Sequence, residues 1–239
     1  MAMAKRWADQ YLGLPGTELE TKLEFVVRTF VLYRLFKDLL IEHRAPAFTI
    51  KSCMGTIIPM ASTTACLALS LLNDEGWMAF CESDFVIIPP GVLLRYLSGR
   101  PVFLHNSTFP HQGMVTCAHC TAPRRMDGVN LEPVRLVTHF ESDHGAATHV
   151  HFPKGQTVTV IKPDFEAKHW LALTGKTTGH PMLATCRAQI EVALDAQTQD
   201  VLRNMRGFHC QLAYGDWTRE VRYAAKKVGI EVQRLPKAV

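Results

Sequence analysis

Apolar residues recur at helical spacing early in the chain. Leu19, Leu23, Val26, Val27, Phe30, Val31, Leu35, Leu39 and Leu40 fall on one face, which predicts an amphipathic helix over residues 17–43. Thr17 followed by Glu20 reads as a capping box at its start. A short apolar run predicts a strand over 46–52 and a second helix over 61–76, closed by the turn residues at 73–76. A second strand is expected at 77–82. A third helix is expected at 85–98, with Pro89 and Pro90 in its first turn, and a third strand at 100–106. Strands that alternate with helices imply a parallel sheet.

Beyond Asn106 the pattern changes. Residues 113–120, 134–142, 147–152, 156–163, 169–178 and 186–194 are short, β-branched and often alternating. Turn residues at 127–128, 153–155 and 179–181 separate them. Such spacing predicts an antiparallel sheet or small barrel. A last unit over 207–235 reads strand, turn, helix, strand, with Asp216 as the cap of its helix.

The fold class expected is therefore α/β plus all-β. A partial parallel, Rossmann-like sheet over 1–108 precedes an antiparallel β-barrel with a terminal helix over 109–239. Three parallel strands form a thin sheet. Residues 1–105 are thus open to two readings: the tail of a larger α/β domain, making the chain a fragment, or a small domain whose first helix covers one face.

Composition narrows the function classes. Of 239 residues, 47% are apolar and 20% charged, with a formal charge of +4. The basic pairs Arg124–Arg125 and Lys226–Lys227 are isolated, a solvated-face pattern rather than a nucleic-acid footprint. No run of apolar residues is long enough for a membrane span, and the first ten residues lack the apolar core of a secretory signal. Seven cysteines, an odd number, point to free thiols in a reducing compartment, hence the cytoplasm.

The sharpest local feature is "GWMAFCESD" at 76–84, an apolar run ending in Glu82 and Asp84 where a helix begins. Two readings stand. The acids cap the helix, since anions favour a helix N-terminus. Alternatively, Glu82 faces the crevice beyond the strand ends, where ligands of open parallel sheets bind, while Asp84 caps. Asn106 and the Ser52–Cys53 pair also fall at strand ends. Among eleven histidines, His119 ends an apolar strand and His209 lies on a strand entered from a glycine. One carboxylate with two imidazoles is a common donor set for a divalent transition metal. His149 and His151 share one strand face, read as a ligand pair or, in preference, as a solvated face. Cys117 and Cys120 form a C-x-x-C without a second pair and point to opposite strand faces, which disfavours a structural zinc site. Trp170 and Trp217 are read as core.

Taken together, "CESD", "YLSGRPVFLHN", "AHCTAPRRM", "THFES", "FPKGQTVTVIKPD" and "GFHCQLAYGDWTREVRYAAKKVGIEV" resemble the C-terminal portion of the L-fucose isomerase and L-arabinose isomerase superfamily over most of residues 5–235. The resemblance implies an aldose–ketose isomerase that works through an enediol on a metal-bound sugar. It also implies Mn²⁺ held between an α/β domain and a C-terminal barrel, and a homo-oligomer, trimer or hexamer. Carried over by position, the ligands are Glu82, Asn106, His119 and His209, with Glu82 and Asn106 as the catalytic pair. Asn106 stands where the fucose enzymes carry a second carboxylate, 24 residues after the first. An amide can ligate a cation but cannot exchange a proton. A non-catalytic sugar-binding or assembly module is therefore the alternative. Arg124, Arg125 and Glu141 follow as substrate-binding positions.

Overall fold

The computed structural model describes residues 1–108 and 110–235. The chain opens with α1 (Ala2–Leu12), β1 (Thr17–Leu19) and α2 (Leu23–Glu42). The parallel partners β2 (Ala47–Thr49) and β3 (Met78–Phe80) flank a wide helical turn (Cys53–Ile57), α3 (Ile58–Ala61) and α4 (Cys66–Asp74). Next come α5 (Ile88–Ser98), β4 (Phe103–Ser107), β5 (Met114–His119), β6 (Val134–Val137) and β7 (Ala147–Val150). The chain continues with β8 (Thr157–Pro163), β9 (His169–Gly179), β10 (Ala188–Leu194), α6 (Thr198–Asn204), β11 (His209–Tyr214), α7 (Thr218–Lys227) and β12 (Glu231–Arg234).

Six of these strands close an antiparallel barrel in the order β5-β4-β11-β8-β9-β10, with β10 returning to β5. The strand β12 adds in parallel to β9. Alternation along the barrel strands builds two cores. Inward residues such as Phe103, Val115, Val160, Leu173, Ile190 and Leu212 join one buried cluster. Outward residues such as Leu104, Ile161, Ala172 and Ala213 pack against Leu94 of α5 and Val221 of α7 in another. Phe36, Leu40, Leu69, Leu72 and Ala79 form a third beneath β2 and β3.

Three expectations are corrected. Residues 17–19 are not the start of a helix. They add in parallel to β6, Thr17 opposite Val134, and Glu20 makes a bidentate pair with Arg135 at 2.5 Å instead of closing a capping box. The helix begins at Leu23 without a side-chain cap. The third parallel strand is instead β4, whose antiparallel partners β5 and β11 claim both its edges, so the parallel sheet has two strands. Helix α1 was not anticipated; it buries Ala4, Ala8 and Tyr11.

Arg124 is likewise a framework residue. Its side chain is fully buried. Nε donates to the Glu132 carbonyl at 2.8 Å, Nη1 to Thr17 Oγ1 at 3.1 Å, and Nη2 to the Pro15 carbonyl at 3.4 Å. The guanidinium also lies over the Tyr11 ring, 5.3 Å from its centroid. It ties the turn after α1 to the loop before β6. Removing it strips three part-buried acceptors of their donor, and an unsatisfied acceptor costs about 1–3 kcal/mol to the extent that it is buried. Arg124→Leu is therefore expected to lower stability by about 2–4 kcal/mol in urea unfolding; a change within about 0.5 kcal/mol contradicts this role.

Candidate metal centre

The acids at the end of β3 are carried by an unusual backbone. Glu82 and Ser83 have φ values of +68° and +47°, a region that non-glycine residues seldom occupy. Two contacts hold the turn. The Ser83 N–H donates to Thr49 Oγ1 at 3.0 Å, and Asp84 Oδ1 accepts from the Val86 N–H at 3.0 Å, leading the chain into α5. In turn, α5 lies hard against β11. A Cβ on Gly91 would stand 2.5 Å from Gln211 Nε2, and that amide donates to the Ile87 carbonyl at 3.3 Å. The segment bearing the acids is thus fixed to the strand bearing His209.

Two histidines approach Glu82 from different faces of the barrel wall. His209 opens β11 on the outer face, directly opposite Asn106. His119 ends β5 and follows Val115 and Cys117 on the inner face. The Nε2 atom of His209 lies 3.3 Å from Glu82 Oε2, and that of His119 lies 3.6 Å from Glu82 Oε1. The ring centroids are 5.9 Å apart, and one donor atom from each of the three residues lies within 4.8 Å of the others. His209 Nδ1 donates to Asp84 Oδ2 at 2.7 Å, which orients the ring and leaves Nε2 facing the acid. Asp84 therefore serves both the helix start and the imidazole.

Charge and burial explain the protonation states. The His119 imidazole, then that of His209, holds the Glu82 carboxyl far below the usual carboxylate range, against the opposing effect of partial burial. For His209 burial is the largest single influence and disfavours the cation, but Glu82 and Asp84 together outweigh it and raise the pKa. His105 points into the barrel. Burial, the largest influence, pushes its pKa down to about 3, which makes it a neutral core group rather than a substitute acid or base.

The donor set fits a cation. Metal–nitrogen and metal–oxygen bonds of about 2.1 Å at right or tetrahedral angles place donors about 3.0–3.5 Å apart. The two separations across Glu82 are close to such edges and too long for strong charge-assisted hydrogen bonds. His119 Nε2 is buried with no hydrogen-bond partner, and His119 itself is 1% exposed. A buried polar atom of this kind normally has a partner.

A cavity of about 360 Å³ adjoins the triad, and its lining includes Ser52, Cys53, Glu82, Asn106, His119 and Glu141. Five of the expected site residues, Glu82, Asn106, His119, Glu141 and His209, thus gather at one end of the barrel. The two arginines do not. Arg124 is the buried strut described above. Arg125 gives its backbone N–H to Asp74 Oδ1 at 2.8 Å and its Nη1 to the Val129 carbonyl at 2.6 Å, and neither lines the cavity. Trp170 is core, and Trp217 donates Nε1 to the Tyr214 carbonyl at 2.8 Å. His149 and His151 do share a face, where His180 joins them, but His149 is buried rather than solvated, and one donor atom from each of the three lies within 4.8 Å of the others. His139, Cys81, Cys120 and Cys186 also line the cavity. Nothing local in the sequence announces them.

No family model matches the chain, and no curated protein matches it. Among the described residues, no single helix is long and apolar enough to cross a membrane.

The electrostatics give a signed prediction for the metal-free protein. The raised His209 pKa contributes stability that is full below the unfolded value of about 6.5 and is lost as pH rises through the folded value. The lowered Glu82 pKa contributes stability that is present above its ordinary range and is lost as pH falls towards the folded value. In an NMR imidazole titration His209 should titrate above an ordinary histidine. In a Glu82→Gln, Asp84→Asn variant it should fall below one, because only burial remains. An unchanged His209 midpoint in that variant contradicts the charge arrangement.

Proposed function

We propose that the chain carries the metal-binding part of a divalent-metal-dependent carbohydrate isomerase, an intramolecular oxidoreductase interconverting aldose and ketose in the cytoplasm. The observation that supports this most is the Glu82 carboxylate with one buried imidazole at each oxygen, at separations suited to sharing a cation. Glu82, His119, His209 and the side-chain oxygen of Asn106 would hold Mn²⁺ or another divalent ion. When bound, the ion supplies Lewis acidity, polarising the sugar's carbonyl and hydroxyl oxygens and stabilising the negative charge that develops on them.

The remaining chemistry belongs to side chains. Asp84 fixes the His209 tautomer and orientation. Isomerisation through an enediol moves a proton between C1 and C2 and a second between the two oxygens, with no net redox change. A positioned carboxylate can take the carbon-bound proton, and Glu82 would fill that role, although the two imidazoles that keep it ionised also make it a weaker base. Asn106 can orient or ligate but cannot exchange a proton. Glu141, exposed in the same cavity, is the other carboxylate at hand. The cavity volume falls within the roughly 300–1,000 Å³ of small-molecule sites. On this reading β2 and β3 are the edge of a larger Rossmann-like layer. The exposed Val31, Leu35 and Leu39 of α2 offer apolar surface for a trimeric or hexameric homo-oligomer.

Asn106 favours a second reading, a sugar-binding or assembly module that keeps the architecture without turnover. The two readings separate by experiment. Mn²⁺ should raise the melting temperature of the wild-type chain, and Glu82→Ala should abolish the rise. Asp84→Asn should weaken Mn²⁺ binding about 10–100-fold, the usual cost of losing a partner that orients a ligand. Exchange of solvent deuterium into C1 or C2 of candidate pentoses and 6-deoxyhexoses supports the isomerase. Sugar binding without exchange, unrestored by Asn106→Asp, supports the module. A melting temperature indifferent to Mn²⁺ contradicts the metal-dependent isomerase and leaves the assembly module, which expects no response to sugar or metal.

A further inference from the structure

A second group of metal-type donors lies behind the first, and no role in the proposed reaction uses it. Cys66 is the first residue of α4, Cys120 follows β5, and His139 follows β6. All three are buried, and one donor atom from each lies within 4.8 Å of the others. Cys53, in the turn after β2, is the candidate fourth donor: its Sγ accepts the N–H of Ala65, the residue before Cys66, at 3.3 Å. All seven cysteines are free.

Buried cysteines often serve as small apolar packing. Packing alone gives no reason to bring the His139 imidazole against two buried thiols. Nor does it explain the support around them. His139 Nδ1 is 3.0 Å from Ser142 Oγ, which leaves Nε2 for the sulfurs. Ligand-to-zinc bonds of about 2.3 Å for sulfur and 2.0–2.1 Å for nitrogen put tetrahedral donors roughly 3.5–3.8 Å apart. For Cys66, Cys120 and His139, whose donor atoms lie within 4.8 Å of one another, a contraction of roughly an ångström meets that requirement.

We propose that Cys53, Cys66, Cys120 and His139 form a four-coordinate site for a thiophilic divalent cation of the zinc class. Binding replaces the thiol protons with bonds to the metal and releases those protons to solvent, with no change in oxidation state. The four ligands come from four separate segments: the turn after β2, α4, and the chain just past β5 and β6. Occupation would therefore fasten the α/β layer to the barrel. His119 Nδ1 lies 3.6 Å from Cys120 Sγ, so the site also abuts the histidine of the first centre.

The test uses the metal-free wild-type chain with Co²⁺ as a spectroscopic probe and then one equivalent of Zn²⁺. A near-ultraviolet sulfur-to-cobalt charge-transfer band with tetrahedral ligand-field bands is expected, and Zn²⁺ should bleach both. X-ray absorption of the zinc form should fit a shell of three sulfurs and one nitrogen. Cys66→Ser and Cys120→Ser should each abolish the charge-transfer band. Ser142→Ala should weaken Zn²⁺ binding about tenfold or more. Glu82→Gln should leave the band intact while removing the Mn²⁺ response, so the two centres fail independently. A zinc shell of oxygen and nitrogen alone in the wild-type chain overturns the proposal whether or not the cysteine variants fold. A charge-transfer band that survives in the Cys66→Ser, Cys120→Ser double variant also overturns it.

Discussion

Two imidazoles buried at the rim of a barrel need an electron-rich partner, and Glu82 is placed to face both. His119 reaches it from the inner face of the wall and His209 from the outer face. No regular strand or helix could present one carboxylate to both. The chain does so by turning through two successive left-handed residues, Glu82 and Ser83, immediately after β3. That strain is of order 1–3 kcal/mol per residue. It persists because Thr49, Asp84 and the close seating of Gly91 on Gln211 hold the turn from three directions. The apolar strand ends on an acid because the sheet stops there and the barrel begins.

The rest of the architecture serves this junction. Closing six antiparallel strands fixes the spacing between the end of β5 and the start of β11, so the two histidines cannot drift apart. Placing α5 against the outer face of β11 brings Asp84 to His209, and that contact sets which imidazole nitrogen faces Glu82. On the far side of His119, the thiols of Cys66 and Cys120 meet His139 across the seam between α4 and the barrel strands. Hard and soft donors thus lie side by side. Glu82, Asn106 and His119 line the cavity, Cys53, Cys120 and His139 line it beside them, and Cys66 is buried.

Much of this was legible in the sequence, for physical reasons that can be named. Alternation of small β-branched segments separated by turns marks the barrel, because period-two patterning follows directly from strand geometry. The acid at 82 and the histidines at 119 and 209 stand out because polar groups interrupt apolar runs there. Residues 17–19 were misread because their apolar spacing continues that of α2; what decides them is the open edge of β6, more than a hundred residues away. Strand β4 was misassigned because alternation says nothing of which neighbours a strand chooses. Arg124 was mistaken for a substrate ligand because its partners, the carbonyls of Pro15 and Glu132 and the hydroxyl of Thr17, have no signature in its vicinity. The thiol group was invisible for the same reason: its four ligands come from four separate segments. The resemblance to the sugar isomerases pointed to Glu82, Asn106, His119 and His209, which the fold gathers at one end of the barrel, and nothing in it pointed to the thiol group.

The central claim is that Glu82, His119 and His209 share one cation. Anomalous diffraction at the manganese absorption edge, from a crystal of the chain soaked in Mn²⁺, addresses it directly. The account predicts a peak within bonding distance, about 2.0–2.3 Å, of a Glu82 oxygen and of both Nε2 atoms. A peak lying elsewhere, or no peak while the three side chains keep their positions, contradicts it.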